Sequence, residues 1–282
     1  MPASPQSPVH LSVSIVLHNS SMELFRHTLQ SLQHSVQAAH QTGCLTHVAV
    51  YIVDNASNVE YRAQLAREIV SWPQDDAFHL EYIPQPDNLG FGYGHNAVLE
   101  KLSSEVHLIL NPDVELDGDT LREGLSALLG SDETVLLSPR VFGPGGEQEF
   151  LCKRYPSVLV LLLRGFAPAF VCRLFRRRLA AYEMRDQCGG QERADIAIAS
   201  GCFMLTRTAA LRAIAGFDEE FFLYFEDFDL SLRLAQQGRL VYEPAMRIVH
   251  QGGYAASKGL RHLKYFITSG VMFFNRHGWR WI

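Results

Sequence analysis

One pattern repeats through the first half of the chain. A short apolar run rich in β-branched residues is followed by a stretch with apolar residues at helical spacing. The runs are Leu11–Leu17, Val48–Val53, Phe78–Ile83, Val106–Leu110 and Thr134–Leu137. The helical stretches are Ser21–Val36, Tyr61–Val70, Gly92–Leu102 and Thr120–Leu129. Such runs read as buried strands, and strands that alternate with helices predict an α/β fold: a mostly parallel, twisted sheet with helices on both faces. In sheets of this kind ligands bind beyond the carboxyl ends of the strands. Those ends carry His18-Asn19, Asp54-Asn55 and Asn111-Pro112-Asp113, so all three groups are expected to face one crevice.

The alternation breaks between about Phe142 and Ala194. It resumes with a strand over Ile196–Leu205, a helix from Thr208, a helix over Asp227–Gln237 closed by Gly238, short strands at Leu240–Tyr242 and Arg247–His250, and an aromatic-rich helix over Gly259–His277. No internal repeat or low-complexity linker interrupts the chain, and 282 residues with 47% hydrophobic content suffice for one large core, so a single domain over 1–282 is expected. The formal net charge of -5 argues against a general nucleic-acid binder, which needs a basic face. Five cysteines, an odd number without a CxxC pair, argue against a zinc site or a disulfide framework and fit a reducing cytoplasm. Met1–Pro8 has no basic region followed by an apolar core, so no signal peptide is expected there.

Several segments carry candidate chemistry. Asn111-Pro112-Asp113-Val114-Glu115 offers carboxylates just past a strand, either as a turn or helix cap or as ligands for a hard divalent cation. Asp87–Asn96 packs Gly90, Gly92 and Gly94 with Asn88 and Asn96 into a loop that opens a helix. It is a tight capped loop or a place where backbone closely approaches an anion. Gly92–Ala97 also fits G-x-G-x-x-A, with Asp113 about 20 residues on. A dehydrogenase fingerprint follows its strand directly, whereas Pro84, Pro86 and Asp87 intervene here, so that reading is rejected. Phe221–Leu230 sets Glu226, Asp227 and Asp229 among aromatics. Apolar surroundings raise a carboxylate's proton affinity, which suits a general base; the other reading is acids favoured by a helix N-terminus. His250 ends a strand before Gly252-Gly253 and has a structural role unless it meets Asp113 in space.

Ser157–Leu179 is apolar but holds Arg164 and Pro168, too interrupted for a spanning helix of about 20 apolar residues. Its end clusters Arg173, Arg176, Arg177 and Arg178, and Leu151–Arg185 holds eight Lys or Arg against the single acid Glu183. Two readings stay open: peripheral contact of 157–179 with an anionic membrane, or a helical hairpin over an acceptor cleft with its arginines in solvent.

In order, the strand ending at His18-Asn19, Asp54-Asn55-Ala56-Ser57, Asn88-Leu89-Gly90-Phe91-Gly92, Asn111-Pro112-Asp113, Ser200-Gly201, Gly216-Phe217-Asp218-Glu219, Phe225–Leu230 and His250-Gln251-Gly252-Gly253 resemble family-2 glycosyltransferases, especially the bacterial rhamnosyltransferase-like subgroup. The resemblance runs from Ser12 to about Trp279 and implies a GT-A fold. It further implies a nucleotide-binding half over about 10–140 and an acceptor-side, catalytic half over about 141–282, with a helical acceptor-side insertion. It assigns His18, Asn19, Asp54, Asn88, Gly90, Gly92, Asn96 and Asn111 to the nucleotide-sugar, with Asp54 at the base and Asn111 near the ribose. Asp113 and His250 match the contacts to Mg²⁺ or Mn²⁺ and the diphosphate, and Asp227 matches the catalytic base. Asn111 stands where the family carries the first Asp of D-x-D, which makes Glu115 a candidate second carboxylate, and His18 stands where many relatives carry Tyr.

The implied activity is inverting, metal-dependent transfer of a sugar to a hydroxyl of a cell-surface glycan or lipid-linked precursor. The expected donor is dTDP-L-rhamnose, with UDP-galactofuranose or another UDP-sugar as the alternative. The expected location is the cytoplasm or the inner face of the plasma membrane. A non-catalytic nucleotide-sugar binder has no need of Asp113 and Asp227 together, and a membrane scaffold leaves the crevice residues unexplained.

Overall fold

The computed structural model describes residues 8–75, 77–252 and 259–282. The first elements are β1 (Val9–Leu17), α1 (Met22–Gln41), β2 (Leu45–Asp54), α2 (Val59–Ser71), β3 (Phe78–Pro84), α3 (Phe91–Asn96) and β4 (Val106–Leu110). Next come β5 (Val114–Leu116), α4 (Thr120–Leu129), β6 (Thr134–Phe142) and β7 (Gln148–Glu149). Four short helices fill the stretch where the pattern broke: α5 (Val158–Phe166), α6 (Ala169–Leu174), α7 (Arg176–Tyr182) and α8 (Arg185–Cys188). The chain closes with β8 (Ala194–Asp195), β9 (Phe203–Arg207), α9 (Thr208–Ala213), α10 (Glu226–Leu234), β10 (Arg239–His250) and α11 (Leu260–His277).

The strands form one sheet in the order β3-β2-β1-β4-β9-β6-β10-β5, with β7 beside β6 and β8 beside β10. The first four strands in that order run parallel, as do β6 and β10, so most of the pairing length is parallel. β9 runs antiparallel to both β4 and β6. Reversing twice leaves β6 and β10 pointing the same way as β1, β2 and β4. The carboxyl ends of all these strands therefore share one edge, and so does the start of β9.

Period-two alternation sends each strand's side chains into two cores. Leu11, Val13, Ile15 and Leu17 join Val48, Val50 and Ile52 under α1 and α4, while Val16, Tyr51, Val53 and Ile109 face the opposite side. On that second side β1 also buries Ser12 and Ser14. Ser12 Oγ lies 2.7 Å from His107 Nδ1, and Ser14 Oγ lies 2.9 Å from His107 Nε2 and 2.7 Å from His95 Nδ1. Burial pushes His107 down to about 3 and His95 well below the usual histidine range, so both stay neutral.

Three expectations change in the structure, and one element is new. The glycine-loop helix stops at Asn96, because its Nδ2 donates to Phe217 O and its Oδ1 accepts from Phe217 N, and a short 3-10 turn follows at Leu99–Lys101. The strand expected from Ile196 begins only at Phe203, after a turn through Ser200-Gly201. The two short strands near the end are one strand, β10, with an irregularity around Pro244. The three residues of β5 had no pattern long enough to read. No helix among the described residues is long and apolar enough to cross a membrane.

Candidate active site

The shared edge of the sheet carries a cavity of about 700 Å³. His18, Asn55, Asn88, Gly90, Asn111 and Asp113 line it. Ser200–Cys202, Glu226, Asp227 and His250 line it as well, with Arg261, His262 and Tyr265 contributed by α11. The antiparallel β9 explains how distant residues meet. Its lead-in turn lies against the end of β4, where Asn111 N donates to Cys202 O at 2.9 Å.

Asp227 enters from the first turn of α10. Its Oδ2 accepts from Gly201 N at 3.1 Å and its Oδ1 from Phe228 N at 2.9 Å, which fix the carboxylate. Burial raises its pKa to about 6, against these backbone donors, which favour the charged form. Glu226 is raised further, by burial and by the Asp227 carboxylate beside it, and its Oε2 is buried without a hydrogen-bond partner among the described residues. Asp229 has a different task. It is buried, holds Arg233 at 2.7 Å, and faces His277 Nε2 of α11 at 2.8 Å. Before this turn Tyr224 and Phe225 both occupy the left-handed region, at φ +69° and +66°. Two adjacent non-glycine residues there store strain at the entrance to the site.

In the same cavity, Asp113 Oδ1 is buried, has no hydrogen-bond partner among the described residues, and lies 3.7 Å from His250 Nε2. That distance is too long for a hydrogen bond and suits two ligands of one cation. His250 Nδ1 lies 3.5 Å from Glu149 Oε2 and is buried without a hydrogen-bond partner among the described residues. No group of three His, Cys, Asp or Glu side chains that could hold a metal ion is found among the described residues. Glu115 does not join it; its carboxylate accepts from Gln251 Nε2 at 2.7 Å. Gly253 of the His250–Gly253 motif lies outside the described residues.

The remaining expected residues sort into lining and support. His18 Nδ1 lies 2.9 Å from Asn55 O. Asn55 donates to Asn88 Oδ1 at 3.0 Å and to Gly90 O at 2.8 Å, tying the β2 end to the glycine loop. Asn19, Asp54, Gly92 and Asn96 are not among the lining residues. Asn19 accepts from Asn58 N, and Gly92 is pressed on Phe217, where an added Cβ would come within 2.7 Å. Asp54 is fully buried and already bonded to Arg62 at 2.7 Å, Tyr82 at 3.2 Å and Ser57 N at 3.0 Å. Arg261, His262 and Tyr265 escaped the sequence reading. Their only signal was a basic start on an aromatic-rich helix.

The sequence pattern of "Glycosyl transferase family 2" matches residues 12–214. The chain is 26% identical over 216 residues to an N-acetylglucosaminyl-diphospho-decaprenol L-rhamnosyltransferase of Mycobacterium tuberculosis, a match that covers 71% of this chain and 69% of the relative. A 52-residue stretch is 46% identical to rhamnosyltransferase WbbL of Escherichia coli, covering 18% of this chain and 20% of that one. Among solved structures, GalNAc-T7 with UDP, GalNAc and Mn²⁺ aligns with a TM-score of 0.64 at 15% identity, over 96% of this chain and 48% of that one. The mannosyltransferase PcManGT of Pyrobaculum calidifontis, with GDP-Man and Mn²⁺, aligns with a TM-score of 0.62 at 16% identity, over 96% and 66%. The chain thus spans about half the length of the first of these structures and just under two thirds of the second. These GT-A neighbours have the fold expected from the sequence, and the chain belongs to glycosyl transferase family 2.

Proposed function

We propose that the chain is an inverting glycosyltransferase that moves L-rhamnose from dTDP-L-rhamnose to a hydroxyl of a lipid-linked or cell-surface glycan. One observation carries the reading. A buried carboxylate with raised proton affinity, Asp227, shares a cavity with the Asp113–His250 pair suited to a cation. Asp227 takes the proton of the acceptor hydroxyl. The freed oxygen bonds to the anomeric carbon from the face opposite the leaving group, the bond from that carbon to the diphosphate oxygen breaks, and the nucleoside diphosphate departs with the electron pair. Gly201 N and Phe228 N hold Asp227 in place for the proton. Protonated Glu226 offers a hydrogen bond to the acceptor.

A divalent cation, Mg²⁺ or Mn²⁺, would be held by Asp113 and His250 and would neutralise charge on the leaving diphosphate. His18 and Asn55 face the nucleotide, Asn111 the ribose, and Asn88 and Gly90 shape the loop beside it. Asp54, Gly92 and Asn96 support these, and Asn19 holds the Asn58 backbone N–H beside them. Rhamnose is favoured over other sugars by the mycobacterial and Escherichia coli relatives. UDP-sugars are the alternative, because fold neighbours are described with UDP. The cytoplasmic face of a membrane, through 157–179, is the proposed place of action. The test is a donor panel: thermal shift and product formation with dTDP- and UDP-sugars plus Mn²⁺. Stabilisation by dTDP-rhamnose alone supports the reading; a response only to UDP-sugars moves the donor, and no response to any nucleotide-sugar removes the function.

A further inference from the structure

The catalytic cavity has a side exit. A second depression, of about 360 Å³, is lined by Leu161, Arg164, Tyr182, Phe225, Asp227 and Phe266. It shares Tyr224, Glu226 and Asp227 with the catalytic cavity, so these three residues border both spaces. Beyond it, Leu161, Phe225 and Phe266 are shared with a third space, a groove of about 320 Å³ between α5 and α11. That groove has no charged lining residue; its walls include Leu162, Phe166, Ile267, Val271, Phe274 and Trp279. Leu162, Phe166 and Ile267 are each more than half exposed, so apolar surface is left uncovered beside the site.

The walls are fixed rather than loose. Val158 N donates to Arg280 O at 2.8 Å and Leu159 N to Trp281 O at 3.1 Å, which anchors the start of α5 on the last residues of the chain. Trp279 stacks on Phe274 at 5.1 Å, and Trp281 on Trp279 at 5.1 Å. At the neck stands Arg164. Its guanidinium lies 5.5 Å from the Tyr182 ring and 3.8 Å from Glu183, and it also faces a basic hollow with Arg176, Arg177 and Arg185. Along the path the chemistry therefore changes in a fixed order: carboxylate, cation, hydrocarbon surface.

We infer that the α5–α11 groove seats the hydrocarbon chain of an amphiphilic acceptor, with its anionic phosphate linker at Arg164 and its sugar hydroxyl at Asp227. This rests on the transfer reading above. A free polysaccharide has no group that matches an uncharged groove, whereas a phosphate-linked lipid matches all three zones in sequence.

The probe is geranylgeranyl diphosphate below its micelle concentration, added to the full chain and followed by tryptophan fluorescence and equilibrium dialysis. Inorganic diphosphate and geranylgeraniol test the anion and the tail separately. The expected result is saturable binding of the lipid diphosphate, with each control weaker by about tenfold or more. Leu162→Asp and Val271→Asp, both at exposed positions, are expected to weaken it by at least about tenfold, and Arg164→Ala to bring it toward the affinity of the alcohol. Should an Asp variant fail to fold by circular dichroism, Leu162→Trp fills the groove without adding charge. Unchanged binding in these variants overturns the inference. So does displacement of the lipid by dTDP-rhamnose with Mn²⁺, which would put its diphosphate in the donor's cavity. Thermal shift of the unaltered chain by that donor reports the transfer reading separately: lipid binding without a donor response keeps the groove and retires the donor.

Discussion

In the proposed transfer Asp227 acts as a base only when ionised, and burial holds its pKa up to about 6. A base raised in this way loses function as pH falls through that value and is fully charged above it. The rate of transfer is therefore expected to climb from pH 5 to 7 and level off. A rate that stays flat down to pH 5 would separate Asp227 from the proton transfer. Glu226 carries its proton over the same range and does not compete as a base. Asp227→Asn keeps the shape of the side chain and should lose transfer by about two to four orders of magnitude while still binding donor. Near-normal turnover by that variant would take Asp227 out of the mechanism. Across the cavity, Asp113→Ala is expected to abolish the metal-dependent part of donor binding, and His250→Ala to weaken it, read as loss of the Mn²⁺-dependent thermal shift. Activity that survives a chelator unchanged would remove the cation.

At the scale of elements, Gly90 joins the two halves of the site. It has φ +112°, Phe91 N donates to Phe222 O at 3.1 Å, and a Cβ on Gly90 would collide with the Phe222 carbonyl. Gly90→Ala adds both the left-handed penalty and a backbone clash, and should cost about 2 kcal/mol or more; a melting temperature unchanged from the parent would contradict the close approach. The helices α5–α7 invite a different measurement. Arg173, Arg176, Arg177 and Arg178 are exposed beside the exposed Phe170 and Leu174. Each basic residue near an anionic surface contributes about 1 kcal/mol. Reversible co-sedimentation with anionic vesicles is expected, lost at high salt and in the triple change of Arg176, Arg177 and Arg178 to Ser. Binding indifferent to both would exclude the electrostatic mode. The strands that end at Leu17, Asp54 and Leu110 were legible because period and composition act locally. The contribution of α11 was not. Arg261, His262 and Tyr265 reach the cavity because α11 is pinned by a contact between His277 and Asp229, 48 residues apart, and no local pattern encodes that. Asp54 illustrates the converse. The sequence placed it at the right strand end, but its carboxylate turned inward to Arg62 while Asn55 faces the cavity.

In the whole molecule, β9 is the keystone between two groups of strands. It closes the exposed side of β4 in residues 106–110 and one side of β6, yet it starts only at Phe203. During synthesis the ribosome delivers β1 to β4 about a hundred residues before their partner exists, and until then β4 presents unpaired backbone groups along an apolar strand. A nascent chain stopped after residue 195 is thus expected to pellet or to occupy a chaperone, and one extended beyond Arg207 to gain protease resistance abruptly, which stalled-ribosome digestion would record. Equal resistance at both lengths would mean that the early strands close without it. Placing one reversed strand between two parallel groups delivers Gly201 to Asp227, and it also makes the birth of the catalytic edge wait for the late part of the message.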